Sequence, residues 1–196
     1  GIKPILGCEV YTAARRLTDK QHEHDAGYGH LVLLAKNNTG YRNLMKIVSV
    51  AQLDGFYDKP RVDRELLRAH SEGLIALSAC LAGDVPQALL AGDRKRAERI
   101  ALEYAGIFGP ENFYLELQNH GLEDQVRVNA GLCEIAAQTG LQTVATNDVH
   151  YIEKSDAKVQ DVLLRIPTGK LVHDRDRMRF ETAEFYLKSG AEMEPD

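Results

Sequence analysis

The chain has 196 residues, 27% of them charged and 44% hydrophobic, which is the balance of an ordinary globular protein with room for one core. Its net charge of −5 gives no counterion-release drive toward nucleic acid, so binding to DNA would need a local pocket or neighbouring domains. No apolar run approaches the ~20 residues of a membrane span, no basic-then-apolar leader opens the chain, and three cysteines without a CxxC spacing suit a reducing, cytoplasmic setting better than a disulfide framework.

In chain order, Lys3–Tyr11 (KPILGCEVY) reads as a strand, in which Cys8 and Glu9 point to opposite faces. Residues Arg15–Gly29 are polar and read as a loop; its His22-Glu23-His24 triplet reads as solvated. His30–Ala35 (HLVLLA) is a buried strand. Gly40–Leu53 carries Leu44, Ile47, Val48 and Ala51 at helical spacing. Asp63–His70 is a short helix with Asp63 as N-cap, and Gly73–Ser78 (GLIALS) is the next strand, ending near Cys80. Two helices follow, Asp84–Ala91 with Asp84 at the N-cap and Pro86 in the first turn, and Asp93–Phe108. Asn112–Gln118 is a strand leading to His120, which is read equally well as a pocket residue or a turn residue. Glu123–Thr139 is a helix ended by Gly140, with Cys133 read as core. Thr143, Val144 and Ala145 form a short buried strand. A helix over about Ser155–Leu164 and a short strand within Glu181–Lys188 complete the reading. His70 and the mixed-charge run His173–Arg179 read as surface.

Apolar strands alternating with helices predict a mainly parallel α/β sheet, as a β/α barrel or part of one, with an open doubly wound sheet as the competitor. No phosphate-loop, dinucleotide-binding or serine-hydrolase motif occurs. In a barrel the chemistry lies where strands end. Those places hold Glu9, Cys80, His120, and Asp148 with His150, a mixture of carboxylate, thiolate and imidazole that suits a metal better than acyl transfer. Asp148 and His150 stand two apart after a strand and can aim at one point, a half-site for Zn²⁺, Mn²⁺ or a similar ion. Read without context, the same pair fits a helix-capping Asp and a turn His, and Cys80 fits a buried structural thiol.

Six ordered segments, GCEVY, HLVLLAKNNTGYRNLMKIVS, GLIALSACLAGDVPQALL, NFYLELQNHG, VATNDVHY and FETAEFYLKS, together resemble the PHP (polymerase and histidinol phosphatase) family, in the branch found in bacterial DNA polymerase III alpha subunits. The resemblance implies a distorted seven-stranded β/α barrel, TIM-like, around a cluster of metal ions, Zn²⁺ or Mn²⁺. It places metal ligands at Glu9, His30, Cys80, Asp148 and His150, and catalytic roles at Glu9, Asp148 and His150. His30 is carried by the resemblance alone, since it opens its strand rather than ending it. The family pattern begins with H-x-H and T-D-H strands ahead of the Glu9 position, so the chain reads as barrel strands three to seven over 1–189, with 190–196 starting a connection toward a polymerase core. The implied whole protein is a cytoplasmic DNA-directed polymerase using Mg²⁺, a nucleotidyltransferase with a 3′–5′ exonuclease or phosphoesterase site in its PHP part. Its partners are the primer 3′ end, other polymerase domains and replisome subunits, and no membrane. Two alternatives remain: a structural PHP scaffold with a vestigial site, and a free-standing PHP phosphatase.

Overall fold

The computed structural model describes residues 1–164, 166 and 179–194. Seven strands occur: β1 (Gly7–Ala13), β2 (Tyr28–Ala35), β3 (Phe56–Tyr57), β4 (Lys59–Val62), β5 (Leu74–Leu77), β6 (Phe113–Leu117) and β7 (Gln142–Ala145). They form one sheet in the order β3-β4-β1-β2-β5-β6-β7, to which the two-residue β3 adds only by pairing with β4. The sheet is open, since β3 and β7 stand at opposite edges. The expected mixture of strands and helices is present, as in part of a barrel, but the sheet expected to be mainly parallel is mixed. β1/β4, β5/β6 and β6/β7 are parallel, but β2 runs antiparallel to both β1 and β5. A parallel pair needs a crossover, usually a helix. The connection from β1 to β2 offers only the single turn α1 (His22–Asp25), so β2 folds back alongside β1.

The helices are α2 (Asn38–Leu53), α3 (Arg64–Ala69), α4 (Asp84–Leu90), α5 (Arg94–Phe108), α6 (Glu123–Thr139), α7 (Ala157–Leu163) and a last turn over Gly190–Met193. Side-chain caps start three of them. The Asn37, Asp63 and Asp93 side chains accept from the backbone N–H groups of Gly40, Leu66 and Arg96 at 2.8–2.9 Å. Gly140 ends α6 at φ 74°, the left-handed region. Gly40 is required for another reason: a Cβ there would lie 1.8 Å from the Gly73 carbonyl oxygen, so its absence lets α2 approach the start of β5. Asp84, expected as a cap, is the first residue of α4, and Gly83 takes the cap position. The Asp84 carboxylate instead accepts from Thr12, Arg64 and Tyr104 at 2.6–3.0 Å, tying β1, α3 and α5 together.

One face of the sheet is dry. Val10, Leu31, Leu33, Leu74, Ala76, Phe113 and Leu115 are buried in a single cluster with Leu44 and Ile47 of α2, Val85 and Ala88 of α4, Ala97, Ala101 and Tyr104 of α5, and Val128, Leu132 and Ile135 of α6. The residues between them point to the other face, which carries Glu9, His30 and Glu116.

Several expectations are corrected. β1 begins at Gly7 and runs to Ala13, not from Lys3. The hairpin β3–β4 was not expected; KPRV lacks apolar alternation, and its Arg61 is buried by bonds to the carbonyls of Leu17, Asp19, Asp25 and Gly55 rather than by hydrophobicity. β7 is an exposed edge strand, not a buried one, because only β6 flanks it. Cys133 is exposed, because α6 buries Gln125, Val128, Leu132 and Ile135 and leaves it one residue off that face. The HEH triplet forms the exposed turn α1, anchored by the buried Asp25 on Arg15. The tail contributes a single bridge, Tyr151 to Tyr186, in place of a strand. His173 lies outside the described residues. Among the described residues, no helix is long and apolar enough to cross a membrane.

Candidate metal centre

Glu9, third in β1, and His30, third in β2, come together because the two strands are antiparallel. Tyr11 pairs with His30 and Glu9 with Val32, so Glu9 and His30 are diagonal neighbours on one face. The reversal of β2 also places its start beside the end of β5, so a residue that opens its strand reaches the same end of the sheet as residues that close theirs. Past β5 the chain turns sharply. Ala79 adopts φ 64°, unusual for a residue with a side chain, and Cys80 follows it. Gly83 closes this turn with its N–H on the Cys80 carbonyl at 2.8 Å, while the His30 N–H donates to the Ala82 carbonyl at 3.0 Å.

The result is a compact triad. His30 Nδ1 lies 2.8 Å from Glu9 Oε1 and 3.7 Å from Cys80 Sγ, and the three donor atoms are all within 4.8 Å of one another. Ligands of a tetrahedral zinc ion are about 3.5 Å apart, given bonds of ~2.0–2.3 Å, so this spacing suits one divalent ion. Electrostatics favour a cation too. The Cys80 sulfur and then the Glu9 carboxylate push the His30 pKa up to about 10, and the hydrogen bond from His30 holds the Glu9 carboxyl below its usual range. A proton shared between His30 and the Glu9 carboxylate, beside the Cys80 sulfur, occupies the place that a metal ion would take. Tyr28 stacks parallel to the His30 ring at 6.1 Å and Tyr11 meets it edge-on at 5.2 Å, fixing its plane.

Asp148 and His150 follow β7 and form a second pair, with Asp148 Oδ1 3.2 Å from His150 Nε2. They are not in the close triad, although the His150 charge is near enough to lower the Glu9 pKa. Their loop is held from beneath by His120, which is fully buried. The Asp148 N–H donates to His120 Nε2 at 3.2 Å, Gln125 lies 2.7 Å from its Nδ1, and Phe185 stacks on the ring at 4.2 Å. His120 lies in the bend before Gly121, in line with the turn reading, and from there it supports the Asp148 loop. His150 is fixed by its N–H on the Phe185 carbonyl at 2.8 Å and by ring contact with Phe180.

Glu116 was not singled out in the sequence. The signal was present: it is the one charge in the apolar strand NFYLELQ. It lies on the face that carries Glu9 and is 5% exposed.

The model of the PHP domain family matches residues 1–120. Over 195 residues, 98% of its length, the chain is 50% identical to the DNA polymerase III subunit alpha of Treponema pallidum and 49% identical to that of Thermus aquaticus; it is 44% identical over 194 residues to that of Borreliella burgdorferi. It spans only 16–17% of the length of these relatives.

Proposed function

The chain belongs to the PHP domain family, and on that footing we propose that it is the PHP region of a replicative DNA polymerase III alpha subunit, holding a divalent metal for phosphoester hydrolysis at a primer 3′ end. Residues 1–189 would make the PHP part and 190–196 the start of the connection onward. The whole protein would act in the cytoplasm on primer and template DNA, with the other polymerase domains and replisome subunits as its partners. The observation that carries this reading is the Glu9–His30–Cys80 triad, whose oxygen, nitrogen and sulfur donors match Zn²⁺ or Mn²⁺ in type and spacing.

A bound divalent ion supplies Lewis-acid polarisation of a phosphoester and a nucleophile at neutral pH. The residues of the chain do the remainder. Glu9 and Cys80 provide the negative charge that holds the ion, and His30 supplies the nitrogen ligand in a ring plane set by Tyr28 and Tyr11. Asp148 and His150 stand at the side of the triad, where they can take a second ion or orient the scissile phosphate. The test is single-turnover removal of a 3′-mismatched nucleotide by the whole alpha subunit and its Asp148→Asn variant. The variant should be slower by about a hundredfold, the scale of losing one charged group in a transition state, with DNA synthesis largely retained. Equal rates would refute a hydrolytic role.

A second reading has its own support. The Asp148 carboxylate is already engaged by His150, so the pair is closed on itself. In that reading the triad binds one ion as a staple between strands, and Asp148→Asn lowers the melting temperature and both activities together.

A further inference from the structure

We propose that Glu116 is the positioning residue of this centre, a buried carboxylate that ties the turn carrying Cys80 to the strand end carrying Asp148 and His150 and contributes charge that favours the metal-loaded state. The inference rests on the metal-centre reading and adds a residue that is not one of its ligands.

Glu116 is the fourth of the five residues of β6, between the two segments it would join. Its backbone N–H donates to Ser78 Oγ at 2.8 Å, two residues before Cys80. The Ala79 backbone N–H, on the residue held at φ 64°, helps to favour its charged form. A left-handed residue with a side chain persists only where its surroundings over-determine it. Here the tie from β6 does so, and the left-handed step is what turns Cys80 toward His30. On the other side, Glu116 Oε1 accepts from Thr146 Oγ1, two residues before Asp148. Gln118 Nε2 adds another donor at 3.3 Å. Glu116 and Cys80 also line one small cavity, with Ala79, Gln118 and Gln125.

A tie made only for the fold does not account for Oε2. Among the described residues that oxygen is buried and has no partner, and Gln118 Oε1 is also buried without one. Glutamine at 116 would keep Oε1 as an acceptor and replace Oε2 by an uncharged amide N–H. What surrounds the carboxylate is a hydroxyl, an amide, a backbone N–H and the like charge of Asp148, a setting in which burial favours its neutral form. A carboxylate there is costly in the metal-free protein and is compensated when a divalent cation lies close by.

The experiment is a titration of the purified protein with Co²⁺, read by the thiolate-to-cobalt charge-transfer absorption, beside melting curves of the metal-free form. Cys80→Ser should remove the absorption. Glu116→Gln should weaken Co²⁺ binding by about ten- to a hundredfold, the scale of losing an outer partner of a metal site, and shift the band, while the metal-free protein melts at the same or a higher temperature. Thr146→Val, which removes one donor to Glu116 and no charge, should give a smaller loss of affinity in the same direction. Unchanged or tighter binding by Glu116→Gln would overturn the inference and leave the centre intact. So would a loss of affinity that runs parallel to a fall in the melting temperature of the metal-free protein. If the wild-type protein gives no Cys80-dependent absorption, the centre itself is wrong and the inference falls with it.

Discussion

Single carboxylates in this protein do very different work according to what faces them. Asp25 is buried, with its two oxygens 2.9 and 2.6 Å from the Arg15 guanidinium and a further bond from the Gln21 N–H at 2.8 Å. The Arg15 hydrogen bonds pull its pKa down to about 2 from an ordinary 3.8. Since the folded value is the lower one, the stabilisation is fully present above the unfolded value and is lost as pH falls toward the folded one. Asp25→Asn should therefore lower the melting temperature by a constant amount at neutral pH, and the gap should narrow between pH 3.8 and about 2. Melting curves of both proteins across that range check it; a gap independent of pH would mean that the loss comes from packing rather than charge. Glu116 is the opposite case, a carboxylate whose pKa burial raises and whose second oxygen has no donor among the described residues. The sequence displays Asp25 in a polar stretch and Glu116 as the one charge of an apolar strand, but not what either carboxylate faces. Their difference is made by partners 10 and 30 residues away.

At the scale of elements, the Asp63 cap and the Gly140 stop were legible because they act within four residues, whereas Asp84, expected as a cap, is the first residue of its helix. Asp63 and Asp93 both cap helices in the structure. They are not equivalent in the folded protein. Asp93 is exposed and bonds only Arg96 N–H, so Asp93→Ala should cost about 1 kcal/mol. Asp63 is buried and also accepts from the Leu17 N–H at 2.9 Å, holding the β1–β2 connection to α3. Asp63→Ala should cost about 2–3 kcal/mol, because a buried N–H loses its partner as well. Urea unfolding of the two variants checks the order, and equal losses would show that the Leu17 contact contributes nothing. Strand direction was not legible. HLVLLA reads as a continuous apolar strand whether it is parallel or antiparallel, and only its pairing with β1 and β5 decides.

At the scale of the molecule, the triad joins three places distant in sequence: β1, β2 and the turn after β5. An ion bound there adds a cross-strand link to a sheet that has open edges at β3 and β7. Zn²⁺ should therefore raise the melting temperature in proportion to the logarithm of its free concentration, by the equivalent of about 2.7 kcal/mol at a hundred times Kd. A chelator should reverse the shift and Cys80→Ser should abolish it. A Zn²⁺ effect that persists in that variant would place the ion elsewhere.

From its residues alone, the chain determined an α/β protein with strands near β1, β2, β5, β6 and β7, and it marked Glu9, Cys80, Asp148 and His150 as groups of metal-ligand type; the last three follow strand ends, while Glu9 is the third residue of β1. Those features follow from side-chain period and local backbone chemistry, which a linear pattern records. Tertiary structure alone decided that β2 runs backwards, and that reversal is why His30, at the start of its strand, meets Glu9 and Cys80. It also decided that Asp148 and His150 lie outside the close triad, with His150 near enough to act on Glu9 electrostatically, and that His120 bonds the Asp148 backbone and Glu116 bonds Thr146. These outcomes depend on which segments pair across long stretches of chain, and no window of neighbouring residues carries that information.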